Sequence, residues 1–256
     1  MRIAVGLTLL ALTAGRAAGQ AAPGRGDTLR FSQITKGSGE IQMPTGSQQM
    51  TSEMRMHTVL AFLSADSAVT WMDSVNVTTE PPSPMSTAMS QFTGRRVPMQ
   101  FLPDGSVKFA DRGLEGLGVT FSSSGQWGFA ISLRQDLRPG ATWTDTAKIK
   151  SGTQGVSMEM TIITRYRVVG DSVYESMPVT VLATATSVIS ETAGSAGAAS
   201  LQATTRGEGT GRSYYSRPLR LVVLSTASLE TESVTQVGDN SITARNRAQT
   251  TLRLLR

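Results

Sequence analysis

The sequence predicts a mainly β protein, an antiparallel meander forming a curved sheet, a half-barrel or a barrel. Three observations predict it. Apolar and polar residues alternate with period two through most of the chain, where a helix would repeat every 3.6 residues. Turn-forming residues interrupt that alternation at short intervals, the spacing of antiparallel sandwiches and barrels. Residues 54–77 and 158–181 also read alike: an alternating strand, a turn at Asp-Ser, and a second alternating strand. Each is followed by a small-residue loop, then Thr-Gly-Arg (Thr93-Gly94-Arg95 and Thr210-Gly211-Arg212), then a hairpin. A period this long suits two copies of one meander better than a solenoid, whose repeats are shorter. Duplication and the general likeness of β-meanders both remain open as its origin.

Residues 1–19 read as a signal peptide, which is expected to be removed. Arg2 is basic, Ile3 to Ala14 are apolar but too few to span a bilayer, and Ala17-Ala18-Gly19 supplies small residues for a peptidase. Cleavage is expected before Gln20, or after Ala21. Residues 20–28 read as a disordered N-terminal segment.

The first β half covers residues 29–110. A short strand runs from Leu29 to Thr35 and stops at Lys36-Gly37-Ser38-Gly39, with polar, turn-rich sequence from Ile41 to Gln49. Met54, Met56, Thr58, Leu60 and Phe62 then share one face of a strand, opposite Arg55, His57 and Val59. Ala65-Asp66-Ser67 turns the chain, and Val69, Trp71, Val75 and Val77 share a face on the return, with Asp73 interrupting. The prolines at 81, 82 and 84 end that sheet segment, since proline cannot donate to a ladder. Val97, Met99 and Phe101 alternate again. Pro103-Asp104-Gly105 makes a hairpin turn into Val107 and Phe109.

Residues 111–140 form a Gly-rich connector with neither period, where one or two short helices are expected, one near Leu114, with another segment near Ile131. The second β half covers residues 141–256. It starts at Trp143, reaches a turn at Ser151-Gly152, and continues with Met158, Met160, Ile162, Thr164, Tyr166 and Val168 on one face. A turn at Gly170-Asp171-Ser172, a loop from about Glu191 to Ser200, a turn at Arg217-Pro218 and another at Gly238-Asp239-Asn240 complete it. The last strand carries Ala244, Ala248, Leu252 and Leu254 on one face and Arg245, Arg247 and Arg253 on the other. The two halves are expected to form one structural unit.

Composition removes several function classes. There is no cysteine, so lipid anchoring at a lipobox, disulfides, iron–sulfur clusters and thiol nucleophiles are excluded. Losing Arg2 and Arg16 with the leader lowers the formal charge from +5 to +3. The remaining basic residues are scattered and aromatics are only 5%, which argues against nucleic acid as a partner. After the leader, no apolar run reaches the roughly 18–20 residues of a membrane helix. A transmembrane barrel is disfavoured because interfacial Trp and Tyr are scarce and the outward positions carry Arg, Glu, Asn and Thr. The expected location is periplasmic or extracellular.

Catalytic signals are weak, and no catalytic residue or cofactor is assigned. His57 is the single histidine, no G-x-S-x-G elbow exists, and the acids are dispersed. Gly207-Glu208-Gly209-Thr210-Gly211 lacks the Lys-Ser/Thr ending of a phosphate loop and precedes a strand. Methionine gives the sharpest chemical candidate: Met54, Met56 and His57, with the spacing repeated at Met158 and Met160, could offer thioethers to a soft metal. That pattern resembles periplasmic copper and silver chaperones, although a regular strand turns His57 away from Met54 and Met56. Methionine also simply fills gaps in an aromatic-poor core.

Leu137-Arg138-Pro139-Gly140-Ala141-Thr142-Trp143, together with Gly209-Thr210-Gly211-Arg212 and its hairpin, resembles exported bacterial β-rich proteins built on a domain of unknown function. The resemblance implies an architecture and no activity. The expected function is therefore a non-enzymatic, exported β-shell binding protein that carries a lipid or other hydrophobic ligand, similar in outline to periplasmic lipid and lipoprotein carriers. Met54, Met56, Leu60, Phe62, Trp71, Met158, Met160, Ile162 and Tyr166 are its expected lining. The alternative is an envelope protein that binds other proteins through its surface, without a small ligand.

Overall fold

A computed structural model describes residues 23–82, 93–102, 107–109, 119–121, 131, 137–153, 155–196 and 199–255. The expected leader, the expected Pro-Asp-Gly turn at 103–105 and the expected connector helices lie outside these residues, apart from Ile131, which is buried in the core. None of the described residues is helical. Twelve strands form a single antiparallel sheet: β1 (Thr28–Met43), β2 (Gly46–Ser64), β3 (Ser67–Glu80), β4 (Val97–Phe101), β5 (Val107–Phe109), β6 (Val119–Phe121), β7 (Thr142–Thr153), β8 (Val156–Tyr174), β9 (Met177–Ala196), β10 (Ala199–Ser216), β11 (Leu221–Val237) and β12 (Asn240–Leu255).

Their order is β5-β4-β3-β2-β1-β12-β11-β10-β9-β8-β7-β6. The predicted meander is therefore borne out, with one closure the sequence does not announce. The first and last strands pair with each other, Arg30 opposite Leu255 through Gln42 opposite Thr243. Among the described residues the sheet is not closed: its edge strands β5 and β6 share no ladder.

One face carries the core. Phe31 on β1, Leu60 and Phe62 on β2, Leu182 on β9 and Leu252 and Leu254 on β12 belong to one buried cluster. Phe101 and Val107 from one arm of the sheet join the same cluster as Trp143, Tyr166 and Val168 from the other. Both arms thus converge at one end of the strands. Two arginines of the β10–β11 turn fasten that end. Arg220 donates to Asp66 Oδ1 (3.0 Å) and the Leu102 carbonyl (2.6 Å), and lies over the Phe101 ring. Arg217 donates to Asp171, to Thr180 Oγ1 and to the Leu137 carbonyl.

Several expected boundaries are corrected. β1 does not stop at Thr35 but runs through Gly37 and Gly39, and the turn comes at Pro44-Thr45. These glycines are ladder members rather than punctuation: a Cβ on Gly39 would meet Asn246 Oδ1 and the Arg245 carbonyl. β7 likewise continues past Ser151-Gly152 to Thr153. The expected loop at Glu191–Ser200 is strand on both sides, with β9 reaching Ala196 and β10 starting at Ala199. The turn expected at Gly170-Asp171-Ser172 is a bulge, where Val168 pairs with Leu182 and Gly170 with Val181. The chain turns instead at Glu175-Ser176, both at positive φ (45° and 66°). The two Thr-Gly-Arg tripeptides consequently sit in unlike settings. Gly94 is at φ 77° just before β4, whereas Gly211 lies inside β10.

Candidate binding surfaces

The pairing register sorts the sheet into two chemically distinct faces. On the core face, beyond the packed end, side chains are small: Gly37 and Gly39 on β1, Gly207, Gly209 and Gly211 on β10, and Ala244 and Ala248 on β12. Hydroxyl pairs bridge strands there, Thr35 with Thr250 (3.0 Å), Thr205 with Ser233 (2.9 Å) and Ser213 with Ser225 (3.0 Å). Larger apolar residues flank this central strip on both arms. Met54 and Met56 sit opposite Val77 and Val75 across β2–β3. On the other arm, Ile162 lies between Ala147 and Val188, and Met160 between Ile149 and Ser190. Met54, Val75, Val77, Met158, Met160 and Ile162 stay partly exposed.

The expected lining residues divide accordingly. Met54, Met56, Leu60 and Phe62 share the core face of β2, as their alternation predicts. Leu60, Phe62 and Tyr166 are packed into the closed end, with Tyr166 stacked on Trp143 at 4.9 Å. Met158, Met160 and Ile162 lie further along the core face of β8. Trp71 does not join them. The bulge at Asp73, where His57 pairs with Ser74 and Thr58 with Met72, flips the alternation of β3. Val75 and Val77 face the core, while Val69 and Trp71 face away, with the Arg96 guanidinium 5.2 Å above the Trp71 ring.

The soft-metal candidates are likewise split. His57 is exposed on the face opposite Met54 and Met56, its Nδ1 3.2 Å from Ser74 Oγ. The two Met-x-Met pairs are far apart in the sheet order, on β2 and β8. Among the described residues no three His, Cys, Asp or Glu side chains gather into a cation site. Among the described residues two buried polar atoms, Trp143 Nε1 and Ser216 Oγ, have no hydrogen-bond partner. Trp143 stood out in the sequence only as the start of the second half; its unpaired donor had no sequence signal.

The opposite face is charged. Lys36, Glu40, Glu53, Arg55, Arg206, Glu208, Glu230, Glu232, Arg245 and Arg247 all point to it from the five adjacent strands β2, β1, β12, β11 and β10. One row across the strands reads Arg206, Glu232, Arg245, Glu40, so opposite charges stand side by side. Ion pairs follow the rows: Arg245 with Glu232 (3.2 Å), Arg247 with Glu230 (3.6 Å) and Lys36 with Glu53 (3.8 Å), besides the contact of Arg55 with Glu53. Glu53 is held below the ordinary carboxylate range, first by the Arg55 hydrogen bond.

No family model matches the chain, and no curated protein matches it either. Among solved structures it is similar to Neisserial surface protein A (9% identity, 88% of this chain and 96% of that one, TM-score 0.24). It is also similar to Pseudomonas aeruginosa OpdO (6%, 90% and 98%, TM-score 0.26). A third is the attachment invasion locus protein Ail of Yersinia pestis (7%, 89% and 99%, TM-score 0.18).

Proposed function

We propose that this is an exported, water-exposed β-shell of the cell envelope that holds a lipid or other extended apolar ligand against its core face. The observation that carries the reading is the continuation of apolar rows past the packed end. Met54, Val75 and Val77 on one arm, and Met158, Met160 and Ile162 on the other, lie on the face that elsewhere is core, yet remain half-buried. Apolar rows that are neither packed shut nor placed among charges leave area for a ligand's hydrocarbon, worth roughly 25 cal/mol per Å² covered. The charged ladder on the other face supports a surface turned to water, since a lipid-facing barrel wall carries an apolar band there. The signal peptide expected over residues 1–19 supports export.

The test is native mass spectrometry of the full chain extracted mildly from its source envelope, together with a titration of the purified protein with the fluorescent fatty acid cis-parinaric acid. A co-purifying lipid mass and saturable parinarate binding are expected. Ile162→Glu and the milder Met160→Gln should both weaken parinarate binding roughly tenfold, about 1.4 kcal/mol, while circular dichroism stays unchanged. A clean apo mass in repeated preparations, with no parinarate binding, would refute the carrier.

A further inference from the structure

The arginines of the charged face are not all treated alike. Arg55, Arg245 and Arg247 each have a carboxylate within ion-pair reach. Arg165, Arg167 and Arg212 have none among the described residues, and all three are exposed. Their cross-strand neighbours explain why. Arg165 stands between Thr144 and Ala185, Arg167 between Thr142 and Ala183, and Arg212 between Ala183 and Thr226. Every adjacent position in the ladder is thus a methyl or a hydroxyl.

Two of the three, Arg165 and Arg167, border a depression, and Arg212 lies just beyond it, opposite Ala183. Ala183 and Ala185 are the shortest side chains on this part of the face, and a cavity of about 590 Å³ opens above them, bordered by Thr142, Thr144, Arg165 and Arg167. Arg212 stands across Ala183 from Arg167, two strands away or about 10 Å between backbones. Arg165 and Arg167 are about 7 Å apart along one strand. Long flexible side chains at those spacings can converge on a single group above the alanine floor. Like charges held this close repel, and an anion between them removes the repulsion.

We propose that this depression binds a phosphate group. A carboxylate is satisfied by one guanidinium fork, whereas a tetrahedral, doubly charged oxyanion accepts from several forks at once and takes hydroxyl donors at its remaining oxygens. Arg165, Arg167 and Arg212 supply the forks, and Thr142 and Thr144 the hydroxyls. The site is on the face away from the apolar rows and stands independently of the carrier reading. The group can come as free phosphate or as the headgroup of an anionic lipid.

Isothermal titration of the purified protein with inorganic phosphate, and co-sedimentation with phosphatidylcholine vesicles with and without phosphatidic acid, separate the two sources. Binding to inorganic phosphate that also displaces the protein from vesicles identifies a soluble anion site. Binding only to vesicles containing phosphatidic acid identifies the headgroup. In either case Arg165→Gln/Arg167→Gln should weaken binding roughly a hundredfold, the loss of two charge-assisted contacts. Ala183→Asp, which places a competing carboxylate between Arg167 and Arg212, should act in the same direction by an independent route. Arg245→Gln/Arg247→Gln should leave binding within about threefold, because those arginines are already paired. The proposal fails if neither ligand binds, if plain phosphatidylcholine binds equally, or if the control pair loses as much as the Arg165/Arg167 pair.

Discussion

At the scale of single residues, burial and fixed partners decide what each side chain does. Tyr215 is only 4% exposed. Burial pushes its phenol up to about 12, against the pull of Arg220 and Arg217, which favour the charged form. Tyr166 is raised in the same direction, first by burial and then by the charge of Asp145. A raised folded pKa means the contribution to stability is fully present below pH 10 and is lost as pH rises through the folded value. Between pH 10 and 12 the unfolded chain ionises Tyr215 while the folded chain resists, so stability should fall by about 3 kcal/mol across that window. Urea midpoints measured below pH 10 and at pH 12 check this, and Tyr215→Phe should flatten part of the decline. An equal decline in the variant would shift the cause to other groups. Arg220 is the other decisive residue, holding a carboxylate, a carbonyl and a ring from one backbone at φ 57°. Arg220→Ala should cost roughly 2 kcal/mol by chemical denaturation, since it leaves the Leu102 carbonyl without its donor.

At the scale of elements, the alternation was legible and its interruptions were not. Met54 through Phe62 and Ala244 through Leu254 could be assigned to faces because regular strands obey a period of two. Trp71 was misassigned because Asp73 is an extra residue in β3, and a bulge leaves no compositional trace when its residue is an ordinary acid. The β8–β9 turn was missed because Glu175 and Ser176 adopt positive φ without being Gly or Asn. Glycine-rich and alanine-rich stretches read as loops in the sequence, but in β1, β9 and β10 their small residues let neighbouring strands approach. Gly209 shows the constraint: an added Cβ would collide with the Ser228 carbonyl and lie 3.2 Å from Leu229. Strand propensity favours replacing glycine, yet Gly209→Ala should destabilise by roughly 1–3 kcal/mol through overpacking. A thermal midpoint equal to or above that of the parent would show that the sheet relaxes there. The candidate phosphate site had the same cause of illegibility. Arg165, Arg167 and Arg212 are ordinary scattered arginines until the register sets all three around Ala183 and Ala185.

At the scale of the whole molecule, the consequential pairing is the one between the chain's two ends. β1 and β12 sit inside the sheet rather than at its margins, with β2 on one side and β11 on the other. Every other neighbouring pair is consecutive in sequence and can form as a local hairpin. The β1–β12 ladder, from Arg30–Leu255 to Gln42–Thr243, alone requires the ends of the chain to meet. Closing a loop that long carries a large entropic cost before any contact compensates it, and sheets dominated by such pairings fold in milliseconds to seconds. The same geometry offers a direct way to measure that cost. Because Leu255 lies opposite Arg30, a short Gly/Ser linker from Leu255 to Thr28 turns β12 and β1 into one more hairpin. New termini can be opened between β5 and β6, the sheet's edges, which share no ladder among the described residues. This permuted chain should retain the β spectrum of the parent and refold at least roughly tenfold faster in stopped-flow dilution from urea, since every ladder in it has become a local hairpin. Its unfolding rate should change far less, because the native ladders are the same in both chains. Equal refolding rates would mean that pairing β1 with β12 is not the rate-limiting step in the parent chain.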